Sequence, residues 1–400
     1  MKMQIDHFVV APSGIGDDAL KYRRHRLVEK LLQHPDTGKV FWISPIETGN
    51  KGELLRKEKR WRRVDQSEKL VELKINDYKN IINLQSGMTL SIFKKIVKEV
   101  SEGEKRILWF TYPGFSDLAA AAKWDRIVYD CSDSWGSTWV QPSGLKRVKP
   151  AILKKMIQLS ERRVAKSSVV RFASSQFLGD KIERITGQPA VIIENGVEYN
   201  DFANAPIAEL KNIPSPRLGF IGGIKSKLDF ELLYKLAITA PSVQLILVGP
   251  VAKEKNESLD KLLALKNVHS LGGVKYENVP RYMKAMDVGV LPYKKIEYNQ
   301  AVSPLKMFEY LAAGIPVVGI GVPTTEKYQQ SGVYSYAKSD LEFISECLKS
   351  IKFRNSDSLI QERQIVAKKQ DWEEKLSLMV HLAKDPLYEE EFKLLNNLNY

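Results

Sequence analysis

Cysteine is almost absent. Cys131 and Cys347 alone, in 400 residues, cannot supply a disulfide framework or a sulfur-ligated zinc site. The five histidines (7, 25, 34, 269 and 381) show no ligand spacing, so no bound metal is expected. Long apolar runs are missing too: Phe8–Ala11 stops at Pro12, and no window nears the ~18 to 20 apolar residues of a spanning helix. The chain is therefore expected in the cytoplasm. No G-x-x-x-x-G-K-[ST] occurs, which removes the ordinary ATPase and kinase readings, and there is no repeat or low-complexity segment.

Acidic residues are scarce in one half only. Residues 1–200 hold 35 Lys and Arg against 24 Asp and Glu, a net of +11, and the remainder hold 26 against 24, a net of +2. The excess gathers in Lys21–Arg26, in Arg56–Arg63 and from Lys146 to Lys166. In the last of these, Leu145, Val148, Ile152, Met156, Leu159 and Val164 recur at helical intervals among the basic residues, as on a helix lying against an anionic surface. A solvated face, an anionic membrane surface and a nucleic-acid surface would all fit that charge. Nucleic acid is set aside because no recognition motif accompanies it.

Strand-like runs alternate with helix-length segments, the pattern of parallel sheets covered by helices. The runs of the first half are His7–Ala11, Val40–Ser44, Ile107–Tyr112, Ile127–Tyr129, Val169–Ala173 and Val191–Ile193. The pattern restarts with Leu218–Ile221, Val243–Val248, Val288–Leu291 and Pro316–Ile320. Tyr199–Pro216, with three prolines and little periodicity, reads as the linker, and Ser358–Leu382 as one amphipathic helix. The expected fold class is α/β, with two Rossmann-like doubly wound domains facing a cleft beyond the carboxyl ends of their strands.

Ser303 to Val318 reads as a capped helix running into a buried strand. Ser303 can accept an N–H of the first turn, Pro304 fits the first helical position, and Gly314 and Pro316 end the helix. Lys306 and Glu309, three apart with Leu305 between Pro304 and the lysine, project near the positive end of that helix. An ordinary capped helix and a phosphate site fit this segment equally well. Gly222 and Gly223 end a strand and let backbone approach a phosphate closely, with Lys225 and Lys227 following; Gly249 repeats the arrangement at the next strand.

Gly14-Ile15-Gly16-Asp17-Asp18-Ala19 matches the dinucleotide fingerprint, but Asp17 and Asp18 would oppose a pyrophosphate, and no acid ends the second strand. It is read instead as a flexible loop on the acceptor side. Asp130 and Asp133 would be delivered to the end of one strand, where either carboxylate could take a proton from an acceptor hydroxyl. Asp133 is preferred because it lies further past the strand and beside Trp135, whose face could hold a sugar ring.

The segments Phe220–Gly223, Leu247–Pro250, Val268–Val274, Met286–Tyr293 and Ser303–Val318 resemble, in order and spacing, the donor domain of GT-B glycosyltransferases. The likeness is greatest to family-four-like bacterial enzymes of teichuronic acid or other surface-polysaccharide synthesis. Tyr129–Asp133, Ser174-Ser175 and Glu194–Val197 agree more loosely. The resemblance implies residues 1–200 as the acceptor-side domain, 201–356 as the donor domain, and 357–400 as helices crossing back toward the first. It also implies a nucleoside diphosphate sugar as substrate rather than a cofactor, with UDP favoured and GDP the alternative. Gly222 and Gly223 would contact the diphosphate, Ser303–Lys306 would hold its phosphates, Glu309 the ribose, and Tyr276 would meet the base. Many members carry a second Glu eight positions before the first; here that position is Ala301. The reading is a glycosyltransferase acting on a lipid-linked glycan at the inner face of the membrane. A sugar-nucleotide epimerase or hydrolase, or an inactive binding subunit, is the alternative.

Overall fold

The computed structural model describes residues 4–17, 21–45, 61–75, 87–137, 150–252, 255–303 and 305–385. They form two units, one of residues 1–193 with the chain from Leu376 onward, the other Glu194–Lys375.

The first unit is built on an eight-stranded sheet. Its strands are β1 (Ile5–Val10), β2 (Thr37–Pro45), β3 (Trp61–Asp65), β4 (Leu70–Ile75), β5 (Lys105–Phe110), β6 (Arg126–Cys131), β7 (Val170–Ala173) and β8 (Val191–Ile192). Their order is β3-β4-β2-β1-β5-β6-β7-β8, and every pairing is parallel except β3 with β4. β1 is buried along its whole length, as a central parallel strand covered on both faces must be. β3 is the opposite case: an edge strand whose Arg62 and Arg63 are exposed, and charge there blocks further pairing. That accounts for the end of the Arg56–Arg63 cluster; residues 56–60 lie outside the described residues.

The second unit carries β9 (Arg217–Ile221), β10 (Gln244–Val248), β11 (Val268–Ser270), β12 (Val288–Pro292), β13 (Val317–Ile320) and β14 (Tyr334–Ala337). They run parallel in the order β11-β10-β9-β12-β13-β14. This is the doubly wound order in which the winding reverses between β9 and β12, and such folds bind ligands just beyond the strand ends at that reversal.

Two expectations are corrected. Ser358–Leu382 is not one helix but two, Asp357–Lys368 and Trp372–Lys384. The break is made by Val197, whose N–H donates to the Gln370 carbonyl (3.0 Å) and whose carbonyl accepts from Trp372 N–H (3.1 Å). Asp371 then caps the new helix, its carboxylate accepting the Glu373 N–H at 2.8 Å. The division also precedes Tyr199–Pro216, falling at Ile193/Glu194. Residues 194–216 are bonded into the second unit, for example through Ala208 N–H to the Arg281 carbonyl and Lys284 Nζ to the Ala203 carbonyl.

Candidate functional site

The helix Leu305–Ala312 lies in the connection from β12 to β13 and is docked by Tyr310. The phenol donates to the Gly219 carbonyl on β9 at 2.7 Å, and its ring occupies the space a Cβ on Gly289 of β12 would need, 2.6 Å away. The missing side chain at Gly289, on one of the strands flanking the reversal, thus lets the helix press onto the sheet. The helix ends as expected, with Gly314 left-handed (φ 81°) and its N–H donating to the Leu311 carbonyl at 3.0 Å.

That docking sends Lys306 across the end of β9. A Cβ on Gly222 would stand 2.3 Å from Lys306 Cε and 2.8 Å from Nζ, so the ammonium lies directly over the Gly222 backbone. Gly222 adopts φ 149° and Gly249, at the end of β10, φ 147°. A Cβ on Gly249 would fall 2.0 Å from the Gly222 carbonyl oxygen. Gly222, Gly249 and Lys306 therefore meet at one point. The Gly222 and Gly249 N–H groups are spent on the Val248 and Gly272 carbonyls (2.8 and 2.7 Å), so these glycines supply room rather than donors. Lys225 lies along Gly223, where a Cβ would be 3.2 Å from its Cε. Lys227 differs from expectation, its ammonium sitting 5.6 Å from the ring centroids of both Tyr293 and Tyr298.

Glu309, one turn past Lys306, is buried with 2% exposure. Burial first, and then the charge of Glu309, raise the phenol pKa of Tyr293; Tyr310 is raised by burial with a smaller push from Glu309. Ser303 does not make the cap the sequence suggested, since among the described residues no N–H of the helix donates to its hydroxyl. Its hydroxyl oxygen accepts the Asn195 N–H (3.1 Å) and its carbonyl accepts Asn195 Nδ2 (2.8 Å). Pro304 lies outside the described residues. Tyr276 donates its hydroxyl to Glu198 (3.0 Å), which fixes its ring at the half-exposed start of a short 3₁₀ turn. Ala301 is buried at the end of the helix Glu297–Ala301.

In the first unit the two aspartates separate. Asp130 is 1% exposed and receives Arg23 Nε at 2.9 Å, in an ion pair whose guanidinium side chain is 4% exposed. A carboxylate held by a buried guanidinium, away from solvent, is structural, and its candidacy as a base is withdrawn. Asp133 is half-buried beyond β6, accepting the Ser134 N–H at 2.8 Å. Trp135 stands edge-on to Tyr112, with centroids 5.0 Å apart.

Of the Gly14 loop, residues 14–17 are held in place, while Asp18 and Ala19 lie outside the described residues. Gly14 N–H donates to Asp17 Oδ2 (2.9 Å), Ile15 N–H to Glu72 Oε1 (3.1 Å), and Lys74 lies 3.6 Å from both carboxylates. Asp17 thus fills the place a pyrophosphate would take. Among the described residues the next helix starts at Arg23, and the Asp17 carboxylate at the Gly14 N–H opposes the dinucleotide reading. Among the described residues other than its chain neighbours, no atom lies within 4 Å of where a Cβ on Gly16 would stand. Among the described residues, no group of three or more His, Cys, Asp or Glu is placed to hold a metal ion.

Sequence reasoning missed Asn195, the Arg23 partner of Asp130, and Tyr310. Only Tyr310 left a signal, as a phenol at an apolar helix position facing glycine-bearing strands.

Residues 215–351 match the model for the family described as glycosyl transferases group 1. A relative in Bacillus subtilis (strain 168), whose name provisionally assigns it to teichuronic acid biosynthesis as the glycosyltransferase TuaH, is 35% identical over 381 residues, covering 93% of this chain and 95% of its own. Among solved structures, sucrose-phosphate synthase from Thermosynechococcus elongatus aligns with a TM-score of 0.68 at 13% identity, over 95% of this chain and 98% of that one. Anabaena HepE, solved in complex with UDP, aligns with a TM-score of 0.64 at 15% identity, over 95% and 99%. The reversal between β9 and β12, the glycine-lined lysine beside it and these likenesses agree: the chain has the GT-B fold and belongs to the group 1 glycosyltransferases.

Proposed function

We propose that the protein transfers a sugar from a nucleoside diphosphate sugar, UDP favoured over GDP, to a hydroxyl of a lipid-linked surface-polysaccharide precursor. The observation that carries this reading is the Lys306 ammonium laid over the Gly222 backbone at the reversal of the sheet. A cation at the start of a helix, over a backbone with no side chain in the way, suits a diphosphate that gains charge as the glycosidic bond breaks. Ser303, Pro304, Leu305 and Lys306 would hold the phosphates, with Gly222, Gly223, Gly249 and Lys225 beneath. Glu309 would accept ribose hydroxyls and Tyr276 would meet the base. The complex of HepE with UDP supports a uridine donor. In the first unit Asp133 would take the acceptor proton, Trp135 would face the acceptor sugar, and Gly14 and Gly16 would line its side.

The charge of the first unit supports an anionic lipid surface as the place of work. On the helix Pro150–Ser167, Lys154, Lys155, Arg162 and Lys166 are exposed together with Ile152 (52%) and Leu159 (47%), whereas Val164 of the expected apolar stripe is buried in the core, Met156 is half-buried, and Leu145 and Val148 lie outside the described residues. Its one acid, Glu161, is turned inward to Tyr129 (2.8 Å) and Lys181 (2.6 Å). A face that is basic and apolar but carries no acid fits phosphate headgroups over acyl chains. No helix among the described residues is long and apolar enough to cross a membrane.

Calorimetric titration tests the donor site. UDP should bind in the presence of EDTA and lose at least tenfold in affinity in Lys306→Ala and in Glu309→Ala; undiminished binding in both variants would sink the assignment. Sedimentation with anionic vesicles, reduced by salt and by charge reversal at Lys155 and Arg162, tests the surface.

A further inference from the structure

Ser303 has an unusual division of labour for a residue before a helix. One lone pair of its hydroxyl is taken by the Asn195 N–H, and its carbonyl is taken by Asn195 Nδ2. The hydroxyl hydrogen finds no acceptor among the described residues, although Ser303 is only 7% exposed. A serine engaged as an acceptor on one side is left to donate on the other.

Asn195 itself is bracketed. On one side Glu194 accepts the Tyr328 hydroxyl and lies 3.5 Å from Lys327 Nζ. On the other, Gly196 passes so close to the next segment that a Cβ would be 2.6 Å from the Gln370 carbonyl, and Val197 is pinned between Gln370 and Trp372. A side chain amide held between two anchored neighbours is preorganised, and it can fix Ser303 without reorganising when a ligand arrives.

We propose that Asn195 is a positioning residue that turns Ser303 from a helix cap into a hydrogen-bond donor for the diphosphate of the sugar donor. The inference rests on the donor-site reading above. Ser303 Oγ–H and Lys306 Nζ, three residues apart, would then approach the same anion, one as a directional donor and the other as a charge. Asn195 touches no substrate; it acts through Ser303.

The test is a cycle of UDP titrations on the full chain with Asn195→Ala, Ser303→Ala, the double variant and Ser303→Thr, alongside Lys306→Ala. Ser303→Ala should weaken UDP about tenfold, the worth of one hydrogen bond to a charged group. Asn195→Ala should weaken it severalfold, the double variant should be no weaker than Ser303→Ala alone, and Ser303→Thr should retain most of the affinity. An Asn195→Ala loss that persists undiminished in the Ser303→Ala background would overturn the positioning role, as would wild-type affinity in both single variants. Unchanged UDP binding in Lys306→Ala would instead mean that the donor-site reading has failed. Melting temperatures without ligand separate general destabilisation from loss of binding.

Discussion

Gly222→Ala combines two penalties that a second substitution can separate. The backbone at φ 149° is one that only glycine adopts freely, and forcing alanine there costs roughly 1–3 kcal/mol. The new methyl would also stand 2.3 Å from Lys306 Cε, and because that is the flexible end of the side chain, the lysine swings off the glycine at a cost of only about 0.5–1 kcal/mol. In Lys306→Ala the overlap disappears while the backbone strain remains. Urea unfolding, followed by hydrogen exchange of peptides from β9 to β13, should therefore show Gly222→Ala to be less destabilising in the Lys306→Ala background, with a coupling of about 0.5–1 kcal/mol. Gly249→Ala is the control, because its methyl would meet the Gly222 carbonyl at 2.0 Å, which no lysine truncation relieves. Its cost should be the same in both backgrounds. If Gly222→Ala and Lys306→Ala were additive within about 0.3 kcal/mol, the lysine would not rest over that glycine, and the geometry on which the donor site is built would be wrong.

Asp130→Asn should destabilise the first unit by about 3 kcal/mol or more, because it leaves the Arg23 guanidinium buried without its carboxylate, whereas Asp133→Asn should leave the melting temperature within a degree or two and abolish transfer. Arg363 is fully buried and donates to the carbonyls of Gly332, Gly314 and Phe353 (2.7, 2.8 and 2.6 Å), so Arg363→Met should cost about 3–5 kcal/mol in urea unfolding. His7 is buried on β1, with its pKa lowered to about 3 chiefly by burial and then by Lys384 and His34, so it folds in the neutral form. Its contribution is complete above the unfolded value of about 6.5 and is lost as pH falls toward 3. Stability measured between pH 6 and 4 should fall less steeply in His7→Gln, by about 1.4 kcal/mol per pH unit, and an unchanged slope would refute the assignment.

Much of the donor unit could be read in the sequence because its signals are local. A proline and a glycine bracket the helix after Ser303, and four of its six strands are short apolar runs bounded by turn residues. The strands overlooked, β3, β4, β11 and β14, lie at or beside a sheet edge and mix polar with apolar residues, so no continuous apolar run marks them. The break at Gln370–Asp371 had a local cue in Asp371 followed by Glu373 and Glu374, but helical periodicity continued across it, and only pairing with Val197 decides that the helix stops.

The amino-acid sequence determined the alternation of strands and helices, the ordered glycine turns, the stop at Gly314 and the presence of Lys306 and Glu309 on one helical face, since each depends on neighbours a few residues away. Tertiary structure decided the rest. Asp130 and Asp133 are three residues apart and chemically alike, yet Arg23, 107 positions upstream of Asp130, makes one a buried ion pair. Ser303 could cap its own helix, yet Asn195, 108 positions away, takes its oxygen. Whether a polar side chain is spent on the fold or kept for a ligand depends on which distant partner reaches it first, and that competition is settled by packing rather than by local spacing.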